Sequence, residues 1–389
     1  MSRTAGSEDS FDAALEPLIL LAGCSARRSA LTERIRAALS EADFTALAES
    51  LARRRLLPLI VTRALEAAGE SCPPTFRAAV VAARREARAR GLALELETRR
   101  LASRLDDHGI PALPLKGPLL AAEAHGDLGL RDTGDVDLLV SRERLAEAAR
   151  LISGDAFDEP SDPLRENGLP DLHLALRRPD RPAVELHWRV HWYEEAFSED
   201  MLARAEPGPD GLLRAQPDDL AASLLLYYAR DGFYGVRMAA DLAAWWDRRG
   251  GALPPRFLEG HARHYPELGP ALTASTVVLE RLTGTPAREW LGDAAVRDHR
   301  GVALAERLAD WDQAGDRDQL AANISLVDGL LGPRGSGRAF VRRELSPRTG
   351  STSQHAAKVL ARYAIALWRV RGGRCWSPLP SAVTRTAAT

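Results

Sequence analysis

The hydrophobic period of this 389-residue chain changes twice, and these changes constrain its fold more than any other sequence feature. Residues 11–107 carry apolar side chains at three- and four-residue spacing, which is typical of helices. Residues 108–200 instead contain short runs in which apolar and polar residues alternate, which is typical of strands. Helical spacing returns after residue 200. The sequence therefore predicts an α+β fold, with a small sheet-containing unit between two helical regions.

Prolines and turn residues set the boundaries of this organisation. We expect a disordered tail at 1–10, an N-terminal helical region at 11–107, an α+β core at 108–200, a C-terminal helical region at 201–374 and a frayed tail at 375–389. The predicted strands are Ile110–Leu115, Asp135–Val140, Leu172–Arg177 and Ala183–Trp192. The predicted helices are Ala30–Leu39, Ala46–Ala68 with a break at Pro58, Thr75–Leu105, Pro118–His125, a helix capped by Ser141, Pro217–Arg230, Tyr234–Arg248, Pro270–Leu282, Val302–Ala314, Ala321–Leu331 and Ala356–Arg371.

Composition and charge argue against several classes of partner, although a local basic groove stays open as an alternative. The net charge is −2 and the pI is near 6.5, so the chain as a whole has no basic field for nucleic acid or for an anionic membrane. No apolar run approaches the roughly 18 residues of a membrane-spanning helix. Cys24, Cys72 and Cys375 are widely spaced and provide no disulfide framework. We therefore expect a cytoplasmic protein that binds neither nucleic acid nor membranes.

Lysine is nearly absent from the chain, because Lys116 and Lys358 are the only lysines among 52 basic residues. Arginine is the compositional default, so a lysine at position 116 indicates chemistry that needs a compact ammonium group. Gly117 follows it and lets the backbone approach a ligand closely. Because this pair follows a predicted strand, we expect Lys116 to contact a phosphate.

Two aspartates share one face of a predicted strand. Because side chains alternate along a strand, Asp135 and Asp137 lie on the same face with Cα atoms about 6.6 Å apart. The other face consists of Val136, Leu138 and Val140 and points towards a core. Neighbouring carboxylates repel and are poor core residues, but they suit a divalent cation. Mg²⁺ is typically bound by one or two carboxylates with substrate phosphates and water, so this strand predicts a magnesium site.

A later strand carries a second row of polar residues. Glu185, His187, Arg189 and His191 form one face, and the residues between them are apolar or aromatic. An acid, a base and a guanidinium on one face indicate a functional site; the plainer alternative is a half-buried strand with a solvated face. His187 and His191 would lie about 13 Å apart on a strand, so these two histidines could not share a metal ion.

Three segments together resemble one protein family. They are Leu115-Lys-Gly117, the run Leu-Arg-x-x-Gly-Asp-x-Asp-Leu-Leu-Val that ends at Val140, and Glu185-Leu-His-Trp-Arg189. In this combination the chain resembles the uncharacterised nucleotidyltransferase family of the DNA polymerase β-like superfamily, over roughly residues 15–371. Pro118 stands where the wider superfamily usually has serine. Residues 227–231 occupy the stretch where the family usually has histidines.

The resemblance implies a small mixed-sheet nucleotidyltransferase core that transfers a nucleotidyl group from an NTP, with ATP as first choice, to an acceptor hydroxyl. Asp135, Asp137 and Glu185 would be catalytic and would bind Mg²⁺, with Glu185 as a metal ligand or as the base for the acceptor. The implied nucleotide-binding residues are Lys116, Gly117, Arg131 and Gly134. Second-tier candidates are His187, Arg189, Arg237 and Asp241, of which the last two are also spaced to pair with each other on a helix.

The resemblance leaves the acceptor open, and we expect a small molecule, sugar or peptide in a biosynthetic pathway. AMPylation of a protein and kinase-like phosphoryl transfer are alternatives. A non-catalytic nucleotide-binding scaffold is an alternative from another class. If the strand of Glu185 lies beside that of Asp135 and Asp137, the three carboxylates converge. Uncompensated, they would repel, so we expect the metal-free site to be strained and partly protonated.

Overall fold

The computed structural model describes residues 20–69, 72–153, 172–178, 181–191, 194, 196–295 and 299–308, with the single positions 357, 360 and 364. The helices are α1 (Ser25–Ala30), α2 (Thr32–Ser40), α3 (Phe44–Arg53), α4 (Leu57–Ala68), α5 (Pro74–Asp106), α6 (Gly117–Leu120, extended by a π-helical turn at Ala121–His125), α7 (Leu145–Ser153), α8 (Ala196–Ala203), α9 (Pro217–Arg230), α10 (Arg237–Arg249), α11 (Glu259–His264), α12 (Gly269–Thr283) and α13 (His299–Leu308). The strands are β1 (Leu113–Pro114), β2 (Asp135–Leu139), β3 (His173–Arg178), β4 (Arg181–His187), β5 (Glu206–Pro207) and β6 (Leu213–Arg214).

The main sheet is small and mixed, which confirms the predicted α+β fold. Its strand order is β1-β2-β4-β3, with β2 and β4 parallel and the other two pairs antiparallel. Pro111 and Pro114 cannot donate backbone hydrogen bonds, so β1 is only two residues long and lies at the edge of the sheet. Strands β5 and β6 form a separate antiparallel ribbon.

One face of β2 is the apolar face that alternation predicts. Val136, Leu138 and Val140 are fully buried. They belong to a cluster with residues from α5, α7, β3 and β4, including Leu94, Leu101, Leu105, Leu145, Ile152, Leu174 and Leu186. Because α5 and α7 cover this face, the aspartates of β2 lie on the opposite face of the sheet.

A larger apolar cluster joins helices from both ends of the described chain. It contains Ile35, Leu47 and Phe76 from the N-terminal helices and Leu225, Trp245 and Leu272 from the C-terminal helices. Leu115 and Leu139, beside the site-bearing face of the sheet, belong to the same cluster. The helices that precede and follow the sheet in sequence therefore pack together next to that face. The domain boundaries stay a prediction.

Several helices begin or end at residues other than those predicted from the sequence. The helix predicted at Ala46–Ala68 is two helices, because the chain turns at Arg55 (φ +56°) and Pro58 lies in the first turn of α4. Ser141 precedes a short 3-10 turn at Arg142–Arg144, and its side chain makes no capping hydrogen bond, so the predicted cap was wrong.

The strand predicted to reach Trp192 ends at His187. The buried carboxylate of Glu194 accepts hydrogen bonds from the backbone N–H groups of Val190 and His191, at 3.0 and 3.4 Å, and these bonds close a turn. Trp188, Arg189 and Val190 are consecutively buried, so the predicted alternation stops at the strand end.

Some predicted segments lie outside the described residues. They are the helix Ala321–Leu331, most of Ala356–Arg371, the end of Val302–Ala314, Trp192 and both tails. Among the described helices, α5 is 33 residues long, and none combines the length and apolar character needed to cross a membrane.

Leu138→Ala tests the core beneath the site. Leu138 is fully buried in β2, so truncation should leave a cavity and lower the free energy of unfolding by about 2–5 kcal/mol. Val81→Ala is the control, since Val81 is 64% exposed on α5 and should change stability by less than about 0.5 kcal/mol. Chemical denaturation measures both values. Equal unfolding midpoints for the two variants would contradict this assignment of the core.

Candidate active site

The sheet register brings three carboxylates together. Parallel pairing places Asp137 of β2 opposite Glu185 of β4, and Asp135 lies two residues before Asp137 on the same face. The Nε2 atom of His187 lies 3.0 Å from Asp137 Oδ1 and 3.5 Å from Glu185 Oε2. These two oxygens are therefore no further apart than the sum of those distances, which is less than the roughly 8 Å that would rule out a shared metal site. The expected proximity of the two strands is confirmed.

Asp135 is the carboxylate with the least compensation. It is half-buried, and in the described part of the chain no hydrogen-bond or ion-pair partner contacts it. Burial, followed by the charge of Asp137, raises its pKa above the ordinary value. Burial, together with repulsion from the neighbouring carboxylate, therefore weakens the ionisation of Asp135.

Asp137 and Glu185, by contrast, are compensated. Lys116 Nζ lies 3.3 Å from Asp137 Oδ1, and His187 contacts the same oxygen. Burial opposes ionisation of Asp137, but Lys116 and His187 outweigh burial and hold its pKa well below the usual range. Burial also opposes ionisation of Glu185, yet His187 and His173 lower its pKa to about 2. The expectation of three uncompensated carboxylates was wrong for these two.

Lys116 lies between the carboxylates and an aromatic ring. Its Nζ atom is 4.2 Å from the ring centroid of Tyr227, which comes from α9. The guanidinium of Arg230 is 4.4 Å from the same centroid, so one ring contacts two cations. Tyr227 is fully buried and its hydroxyl has no hydrogen-bond partner in the described structure. Tyr227 and Arg230 were not identified from the sequence as site residues.

Arg131 is buried and fixes the loop between α6 and β2. Its Nε donates to Asp241 Oδ2 at 2.8 Å, and one terminal nitrogen donates to the carbonyl of Gly117 at 3.3 Å. His125 Nε2 lies 2.8 Å from the other oxygen of Asp241. Gly117 has φ +61°, a conformation that favours glycine. The nucleotide-binding role predicted for Arg131 stays a prediction, and its observed contacts brace the turn that carries Lys116.

The loop that enters β2 is also held from the N-terminal helices. Arg55 Nε donates to Asp132 at 2.9 Å, and Arg90 pairs with the same carboxylate. Arg237 of α10 donates to the carbonyl of Asp132 at 3.4 Å. The described contacts of Arg237 and Asp241 therefore go to other residues, and no direct ion pair joins these two. A Cβ at Gly134 would lie 3.3 Å from the Arg55 guanidinium, so this glycine permits close approach.

Two histidines flank Glu185. His173 and His187 are paired across β3 and β4, with ring centroids 4.8 Å apart. His173 Nε2 lies 3.6 Å from Glu185 Oε1. Burial and the neighbouring His187 lower the pKa of His173 to about 4, so its imidazole is neutral at pH 7. Sequence reasoning missed His173. The structure places Arg189 beyond the end of β4, with its guanidinium 4.3 Å from the centroid of the Trp188 ring.

Asp241→Asn tests the brace around Arg131. Burial opposes ionisation of Asp241, but Arg131 and His125 outweigh burial and hold its pKa well below the usual range. Removing this charge leaves Arg131 buried and without its anion, which should cost about 3–5 kcal/mol of folding free energy at neutral pH. Because the folded-state pKa is below the unfolded value of about 3.9, this contribution is fully present above that pH and is lost as the pH falls through the folded pKa.

Asp293→Asn is the matched control, since Asp293 pairs with Arg256 and is 77% exposed. It should cost less than about 1 kcal/mol. Denaturant unfolding at neutral pH and at acidic pH measures both variants. A stability difference between wild type and Asp241→Asn that stays constant into strong acid would contradict the role of the ionised carboxylate.

One of three comparisons with known proteins gives a match. A family model described as an uncharacterised nucleotidyltransferase matches residues 40–263, which is more than half of the chain. No curated protein and no solved structure matches the chain. The matched range contains Lys116, the carboxylates of β2 and β4, and Asp241. The family indicates a transferase of nucleotidyl groups that uses a nucleoside triphosphate. The chain therefore belongs to the uncharacterised nucleotidyltransferase family.

Proposed function

We propose that this protein is a Mg²⁺-dependent enzyme that transfers a nucleotidyl group from an NTP, with ATP as first choice, to a hydroxyl of a small molecule, sugar or peptide in a biosynthetic pathway. The observation that carries the proposal is the convergence of Asp135, Asp137 and Glu185 on two parallel strands, with Lys116 at Asp137. A cytoplasmic location stays a prediction.

The donor set fits magnesium. Asp135 is a carboxylate with no described partner, and Asp137 and Glu185 add oxygen donors beside it. Mg²⁺ prefers oxygen ligands and commonly uses one or two carboxylates together with the phosphates of its substrate. When bound, the ion would neutralise charge on the triphosphate. Asp135 and Asp137 would hold it against the nucleotide.

The cations around Asp137 support phosphate binding. The side chain of Lys116 is 14% exposed, and its ammonium lies beside Asp137 and is supported by the Tyr227 ring. Gly117, with its left-handed backbone, would let the chain approach the phosphates closely. Nucleotidyl transfer depends mainly on positioning and charge neutralisation, which these groups supply.

The environment of Glu185 favours one of its two possible roles. A general base works best when its pKa lies near the operating pH, whereas the pKa of Glu185 is held at about 2. A carboxylate that stays ionised over the whole physiological range is a good ligand for a cation and a weak proton acceptor. We therefore assign Glu185 first to metal binding and to orientation of the acceptor.

The products of turnover separate this function from its alternatives. The purified protein is incubated with each NTP, with label on either the α- or the γ-phosphate, and with small-molecule and protein fractions of a cell extract. Attack on the α-phosphorus transfers the nucleotidyl group to the hydroxyl and releases pyrophosphate. Attack on the γ-phosphorus instead transfers a phosphoryl group and releases the nucleoside diphosphate. Label from α-labelled ATP on protein indicates AMPylation, and label from the γ-phosphate on protein indicates protein phosphorylation. No Mg²⁺-dependent turnover with any NTP indicates a non-catalytic scaffold.

Asp137→Asn and Glu185→Gln should separate binding from turnover. Asp137→Asn removes the carboxylate that contacts Lys116 and that would bind the metal ion. Metal-dependent NTP binding should therefore be lost together with activity. Glu185→Gln should still bind Mg²⁺-NTP, because both aspartates remain, but should lose at least roughly 100-fold in kcat. Calorimetric titration and product release measure the two effects. Normal turnover by Glu185→Gln would show that this acid is structural.

Lys116→Ala should weaken NTP binding or raise its KM by roughly tenfold or more, because a charge-assisted contact to phosphate is removed. Lys116→Arg keeps the charge but replaces a compact ammonium by a planar fork, and should restore only part of the loss. Arg36→Ala is the control, since Arg36 is 58% exposed and pairs with Glu33 on α2. Equal KM and kcat for wild type and Lys116→Ala would leave Lys116 without a role in nucleotide binding.

A further inference from the structure

Nitrogen donors lie beside the carboxylates at one edge of the site. His173, Glu185 and His187 each direct a ligand-type atom into one small volume, and these atoms all lie within 4.8 Å of one another. This arrangement is produced by strand register. His173 and His187 are directly opposite each other in the β3–β4 ladder, and Glu185 precedes His187 by two residues on the same face.

We propose that His173, Glu185 and His187 form a second metal position that binds a borderline divalent ion such as Zn²⁺, next to the magnesium position at Asp135 and Asp137 and sharing Glu185 with it. The metal site itself does not depend on the transferase activity; only its place beside the acceptor rests on the proposed function. Two imidazole nitrogens and one carboxylate are a donor set found in catalytic zinc sites. A hard ion such as Mg²⁺ prefers oxygen donors alone.

The distances support a compact coordination sphere. The two imidazole Nε2 atoms lie 3.6 and 3.5 Å from the two oxygens of Glu185. A tetrahedral ion with bonds of about 2.0–2.1 Å places its ligand atoms roughly 3.3–3.4 Å apart. The two imidazoles face different oxygens of Glu185, and one ligand atom from each residue lies within 4.8 Å of the others, so the side chains would have to close by about 1 Å to complete the site. Three protein donors leave one position open for water or for an acceptor oxygen.

The three side chains differ in exposure, which gives the site both a fixed ligand and an entrance for an ion. The side chain of His187 is fully buried, and its Nε2 points at Asp137 and Glu185. A bound ion would replace the hydrogen bond of this nitrogen to Asp137 and would itself compensate the carboxylate. The side chains of His173 and Glu185 are 29% and 19% exposed, so an ion can enter from solvent. The other described group with suitable donors, Asp218, Asp219 and His261, is less open to a cation. There Arg204 already donates to both oxygens of Asp219, at 2.7 and 3.0 Å.

The test is a Zn²⁺ titration of the full-length, tag-free protein against a chromophoric chelator, in the presence of excess Mg²⁺. We expect saturable binding of one equivalent of Zn²⁺. His173→Ala should weaken this binding by roughly tenfold or more, and His173→Gln should do the same. Co²⁺ is a second probe, because its visible absorption reports nitrogen-containing tetrahedral coordination. Thermal melting checks that both variants fold.

Two matched variants locate the site. His264→Ala should leave Zn²⁺ binding unchanged, because the His264 side chain is 72% exposed and lies outside the cluster. Asp135→Asn should also keep Zn²⁺ while losing Mg²⁺-NTP, since Asp135 is not one of the three donors. If the protein shows no transferase activity but still binds Zn²⁺ through His173, only the proposed function is refuted.

Three results would overturn the metal position. The first is no saturable Zn²⁺ binding in the presence of Mg²⁺. The second is equal Zn²⁺ affinity for His173→Ala and His264→Ala. The third is loss of binding in His261→Gln but not in His173→Ala, which would move the ion to the group on α9 and α11.

Discussion

The buried carboxylate of Asp137 is the group on which the rest of the site depends. Removing such a charge from water costs several kcal/mol unless cations and hydrogen bonds replace the lost solvation. Lys116 and His187 provide that replacement from two different elements, the turn after β1 and the end of β4. Tyr227 supports Lys116 from α9. One charge therefore fixes the relative positions of the sheet edge, the lysine turn and a C-terminal helix.

A second buried carboxylate performs a similar task for the loop that enters β2. Asp241 of α10 binds Arg131 and His125, and Arg131 in turn holds the carbonyl of Gly117. From the other side, Arg55 and Arg90 reach Asp132 in the same loop. The two helical regions are thus structural parts of the site. This explains in physical terms why the chain surrounds so small a sheet with so many helices, since several helices are needed to fix the backbone next to the aspartates.

Local patterns predicted the parts of this site that depend on local geometry. Alternation in β2 placed Asp137 and Leu138 on opposite faces, and the rarity of lysine identified Lys116. His173 was missed because its role arises from pairing with His187 across two strands, a register that the sequence does not display. Tyr227 was missed because α9 is buried on every side near its end, so no periodicity distinguishes a site residue from a core residue. The alternation predicted beyond His187 was wrong because the side chain of Glu194 closes a turn there.

The contacts of Lys116 also explain why a lysine suits this position in a chain that otherwise uses arginine. Its ammonium balances Asp137, a carboxylate that would hold the proposed magnesium ion. A bound triphosphate would offer the half-buried Lys116 a second anion, so Lys116 would exchange one anionic partner for another. The face of the Tyr227 ring attracts the ammonium of Lys116 whichever anion that ammonium contacts. The ring can therefore support Lys116 beside Asp137 or beside a phosphate. A compact point charge can make this exchange by a small rotation. A planar guanidinium binds best when its fork matches a fixed pair of oxygens. It would have to break its paired contact with the carboxylate before it could form one with a phosphate.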